Sequence, residues 1–76
     1  MPATSKWQQL ADHIRTQITT GELQPGDKLP STAQLKAQHS VSEMVIRYAM
    51  HALKQEGLVY SVHGLGVFVS EKPTEG

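Results

Sequence analysis

Cysteine is absent from the 76 residues, which excludes a disulfide framework or a thiolate zinc site as support for a small core. Aromatic side chains are scarce (Trp7, Tyr48, Tyr60 and Phe68), so aliphatic side chains must supply most of the packing in what length makes a single domain. No apolar run approaches the ~18 residues needed to cross a bilayer, and no basic-plus-apolar leader opens the chain at Met1. A soluble, cytoplasmic protein is the expectation. Neither sign of charge prevails, with seven Lys+Arg against seven Asp+Glu. That excludes a broad basic face, although Lys28, Lys36, Arg47 and Lys54 outnumber Glu43 and Glu56 between Lys28 and Gly66. Catalytic patterns are missing as well: there is no Ser/His/Asp ordering with a glycine elbow and no phosphate loop. His39, His51 and His63 fall on different predicted elements, and no histidine pair shows i, i+4 spacing on one helix. Neither an enzyme nor a metal or other cofactor is expected.

What is present is periodicity with clear punctuation. Trp7, Leu10, Ala11, Ile14 and Ile18 form one stripe of a 3.6-residue period, which predicts a helix over Lys6–Thr20. Thr4 or Ser5 can cap its start, and Gly21 supplies a left-handed stop. Its outer face, with Gln8, Gln9, Asp12, Arg15 and Gln17, reads as solvated. A turn follows at Pro25-Gly26, then a short extended piece at Lys28-Leu29, because Pro30 biases Leu29 away from helix. Ser31 and Gln34 fit a capping box opening a short helix over Thr32–Gln38, with Leu35 as its inward anchor. Val41 plugs the core between helices, and Ser42 caps a third helix over Glu43–Glu56. Its buried stripe is Ile46, Ala49, Met50 and Leu53; its opposite face carries Met44, Arg47, Tyr48, His51 and Gln55. Leu58–Ser61 and Val67–Ser70 read as strands joined through Gly64 and Gly66. The fold class is therefore α+β: a winged helix-turn-helix at residues 6–70, with three helices and a two-stranded wing. Residues 1–5 read as a flexible arm and 71–76 as a flexible tail or linker stub.

Several blocks resemble the GntR-type transcriptional regulators. They are Gly21-Glu22-Leu23-Gln24-Pro25-Gly26-Asp27-Lys28-Leu29-Pro30-Ser31, then Val41-Ser42 followed by Arg47, Ala49 and Leu53. Glu56-Gly57-Leu58-Val59-Tyr60 and Gly64-Leu65-Gly66-Val67-Phe68-Val69 complete the likeness, which covers roughly Trp7–Val69. The resemblance implies a winged-helix domain that binds a palindromic double-stranded DNA operator as a homodimer, and a repressor is the expectation. It also implies that a small-molecule effector acts only if a C-terminal domain exists outside this chain. The chain departs from the family at the positions that face DNA. Glu43 stands where a basic residue is usual, and Met44 and Val45 where small hydroxyl residues are common. Leu65 replaces a basic wing residue, while Thr32 and Ala33 replace an acidic and a basic residue after Ser31.

The resemblance and the residue chemistry together give the candidate DNA contacts. Arg47 matches a family contact position, and its fork can grip a guanine edge or a phosphate. Glu43 can accept from cytosine N4, or simply stabilise the helix N-terminus. Met44 and Val45 can touch thymine methyls, with partial burial as the alternative for Val45. Tyr48 can bond a phosphate or pack at the core rim. Ser31 and Ser42 are caps first, and the helix ends at Ser31-Thr32 and Ser42 also offer free N–H groups to phosphates. His63, Gly64, Leu65 and Gly66 form the wing tip, which either approaches the minor groove or is a plain turn. The rival function is a winged-helix protein-interaction module, distinguished by the absence of DNA retention at low salt.

Overall fold

A computed structural model describes residues 5–71. Helix α1 spans Lys6–Thr20, α2 Thr32–His39 and α3 Glu43–Gln55; strands β1, Val59–Val62, and β2, Gly66–Val69, follow. This is the expected winged helix. The readings made of residues 1–4 and 72–76 lie outside the described residues.

Each helix begins where a serine can satisfy a free backbone donor. Ser5 caps α1: its hydroxyl accepts from the Gln8 N–H at 3.3 Å and the Gln8 side-chain Oε1 accepts from the Ser5 N–H at 3.1 Å. Ser31 and Gln34 make the same reciprocal pair at α2, at 3.1 and 2.9 Å. Ser42 accepts from the Val45 N–H at 3.3 Å. Helix α2 runs one residue past its expected end because Ser40 takes over as the left-handed cap, at φ 54°, donating its N–H to the Lys36 carbonyl. Helix α3 ends one residue early, with Glu56 as its cap and Gly57 at φ 79° turning the chain toward the hairpin.

The α1 stripe (Leu10, Ala11, Ile14) packs with Ile46, Ala49, Met50 and Leu53 of α3, and Leu29, Leu35, Val59 and Val69 complete the buried cluster. Val41 and Val45 are half-buried against it. The strands are antiparallel, with Val59 opposite Val69 and Tyr60 opposite Phe68. Both strands start one residue away from the expected positions. Leu58 belongs to the helix exit, since its N–H donates to the Leu53 carbonyl at 3.1 Å. The Lys28 segment is more than an extended linker. It lies along the free edge of β2, where the Leu29 N–H donates to Val67 at 2.8 Å and the Val69 N–H donates to Asp27 at 2.8 Å. The wing is thus anchored on both sides and held against the helical layer.

Arg15 is not on a freely solvated face. Its guanidinium donates in parallel to the Glu56 carboxylate, Nε at 2.8 Å and a terminal nitrogen at 2.6 Å, and also pairs with Asp12. This fork ties α1 to the end of α3. The charge-assisted bonds from Arg15 hold the Glu56 carboxyl below the usual carboxylate range. A group that titrates lower in the folded than in the unfolded state stabilises fully above its unfolded value and stops doing so as pH falls through the folded one. With 35% and 40% of the two side chains exposed, screening limits the pair to about 1 kcal/mol or less. Glu56→Gln should therefore lower the melting temperature slightly at neutral pH. The gap from wild type should close on acidification below the carboxylate range, as thermal melts at several pH values would show.

Candidate nucleic-acid interface

The capped ends fix where the polar groups of α2 and α3 point. Because Ile46, Ala49, Met50 and Leu53 are committed to the core, the helical period turns Met44, Arg47, Tyr48, His51 and Gln55 outward, and all five are exposed. Of the four large apolar side chains left exposed among the described residues, Met44 and Tyr48 sit on this face and Leu65 on the wing tip. The fourth, Tyr60, stacks on Phe68 across the hairpin.

Two adjoining grooves connect the three elements. One is lined by Thr32 at the start of α2, by Glu43, Arg47, His51 and Lys54 along α3, and by Val67 of β2. The other is lined by Lys28, Pro30, Ser31, Thr32, Leu65 and Gly66, over the apolar floor of Leu35, Ile46 and Met50. Thr32, Ile46, Met50 and Val67 line both. The N-terminus of α2 therefore lies between the exposed face of α3 and the base of the wing, and one surface carries all three.

Among the candidates from sequence, Ser31, Thr32, Glu43, Arg47, Leu65 and Gly66 line these grooves. Ser42, Met44, Tyr48, His63 and Gly64 are exposed but line neither. Val45 is half-buried against the core, which agrees with the packing role the sequence allowed for it and leaves part of its side chain at the surface. Arg47 and Glu43 are one turn apart with guanidinium and carboxylate 3.8 Å from each other, and both remain well exposed at 71% and 60%. At the wing, the Leu65 N–H donates to the Val62 carbonyl at 3.0 Å and Gly64 takes φ 80°, a turn that suits glycine. Gly66 has a second reason to be glycine. At φ 131° a Cβ there would stand 2.8 Å from Cε of Lys28, whose stem lies across it.

Three cationic or titratable lining residues, Lys28, His51 and Lys54, are not among the candidate contacts named from sequence. His51 and Lys54 follow Arg47 at i+4 and i+7, on the helix face that the sequence already turns outward at His51. Lys28 could not be found that way, since only the pairing of its segment with β2 brings it to the wing.

Comparison with known proteins follows the same lines. The family model described as bacterial regulatory proteins, gntR family, matches residues 6–69. The mannosyl-D-glycerate transport/metabolism system repressor MngR of Escherichia coli (strain K12) is 39% identical over 66 residues, covering 87% of this chain and 28% of that protein. The transcriptional repressor NagR of Bacillus subtilis (strain 168) is 42% identical over 67 residues, covering 88% of this chain and 28% of its own length. This chain thus spans under a third of these curated relatives. Among solved structures, the AraR DNA-binding domain in complex with operator ORE1 superposes with a TM-score of 0.87 at 37% identity, covering 90% of this chain and 83% of that one.

Proposed function

Since this chain belongs to the GntR family of bacterial regulatory proteins, we propose that it is a sequence-specific DNA-binding domain that represses transcription, binding a palindromic operator as a homodimer. Helix α3 enters the major groove by its N-terminal half, and the wing tip at His63–Gly66 lies at the minor groove. The N–H groups at the starts of α2 and α3 hold phosphates, which position the domain without reading sequence. Arg47 and Met44 reach base edges, while Tyr48, His51, Lys54 and Lys28 lie toward the backbone. The observation that carries this reading is the single surface shared by the α2 N-terminus, the exposed face of α3 and the wing. A small-molecule effector would act through a further domain of the kind that the longer relatives have room for.

Selection of binding sites from random duplex DNA by the 76-residue chain tests the proposal. The expected product is an inverted repeat, bound with an affinity that falls as salt rises, on a shallow slope because few phosphates are neutralised. A chain that retains no DNA even at low salt would be a protein-interaction module instead.

A further inference from the structure

Among the described residues that line the α3 groove Glu43 is the only carboxylate, and its companions there include Arg47, His51 and Lys54. Resting on the DNA-binding reading above, we infer that Glu43 is a specificity-determining residue that reads cytosine, orients Arg47 for a neighbouring guanine, and penalises bare phosphate.

The geometry supplies the pairing. The Glu43 carboxylate and the Arg47 guanidinium are 3.8 Å apart, one turn along an exposed helix face. A turn rises about 5.4 Å and base pairs repeat about every 3.4 Å, so the two heads address positions one or two base pairs apart. The chemistry supplies the bases. In the major groove cytosine offers an amine at N4, whereas guanine N7 and O6 and thymine O4 offer only acceptors that repel a carboxylate. Adenine also offers an amine, but its adjacent N7 opposes the second carboxylate oxygen. Arg47 has the reverse preference: its fork matches the paired acceptors of guanine. A carboxylate at the side of that fork biases it toward the base edge beside Glu43 and competes with phosphates for it.

Electrostatics supplies the discrimination. On random DNA, Glu43 meets phosphate oxygens or acceptor edges, and it also offsets the charge of Arg47. The chain has no surplus of cations to override this, since its formal net charge is zero. On the matching sequence the carboxylate is satisfied by the cytosine amine and the penalty disappears. Stabilisation of the α3 N-terminus accounts for an acidic residue at this position but not for its length: an aspartate would serve the helix equally, yet falls one methylene short of both Arg47 and the base.

Site selection and titration with the 76-residue wild type, Glu43→Gln and Glu43→Asp separate these roles, with circular dichroism confirming that each is folded. Wild type should enrich a half-site with cytosine at one position and guanine within two base pairs of it. Glu43→Gln should lose the cytosine preference, bind random DNA more tightly, and show a ratio of specific to random affinity lower by about fivefold or more. Glu43→Asp should lose the same base preference while its affinity for random DNA stays at the wild-type value. If both variants select the wild-type sequence with unchanged ratios, Glu43 serves only the helix end and the inference is overturned. If wild type enriches no sequence at all, the DNA-binding reading itself fails, and this inference with it.

Discussion

Leu53→Ala is expected to remove roughly 2–5 kcal/mol of folding stability. Leu53 is fully buried, one of the three largest side chains in that state among the described residues, on the face of α3 that packs in the shared core with α1. Truncation there deletes apolar contact and leaves a void that the short elements around it cannot fully close. Its backbone carbonyl still accepts from the Leu58 N–H, so the loss reports packing alone. Small domains have total stabilities near the low end of roughly 5–15 kcal/mol, so this one substitution can consume most of the margin. Urea denaturation should show a large drop in midpoint, whereas Met44→Ala, on the exposed face, should stay close to wild type. Equal midpoints for Leu53→Ala and wild type would mean that the buried face of α3 has been assigned backwards.

Arg47→Ala carries the largest expected effect on binding. Its side chain is 71% exposed and makes one long ion pair at 3.8 Å, so folding should change by no more than about 0.5 kcal/mol. Operator affinity should fall by roughly 1–3 kcal/mol. If the guanidinium reads a base, the loss is confined to the operator and specificity relaxes at one position. If it holds a phosphate, operator and random DNA weaken together and the salt slope shrinks by about one. Undiminished binding to both DNAs would remove Arg47 from the interface.

Much of this fold is legible in short-range physics alone. Helix α1 is bounded by a serine cap and a left-handed glycine around an unbroken apolar stripe, so its limits follow from short-range rules alone. The Ser31–Gln34 box and the buried stripe of α3 are local signals of the same kind. What sequence hid depends on contacts between distant segments. Arg15 looked solvated because Glu56, its partner, lies 41 residues away. The edge pairing of Lys28 with β2 and the passage of its stem over Gly66 have no local signature either. Val45 lies on the flank of the stripe, where a single helix cannot say whether a side chain faces solvent or core; the neighbouring elements decide it.

The most direct measurement is amide chemical-shift mapping of the isotope-labelled chain as its selected operator is added. Perturbations are expected at Ser31–Gln34, along Glu43–Tyr48 and at His63–Gly66, with the outer face of α1 around Gln8 and Asp12 left unmoved. Perturbations centred on α1, or on the Tyr60–Phe68 face of the hairpin, with the start of α3 silent, would contradict entry of α3 into the groove.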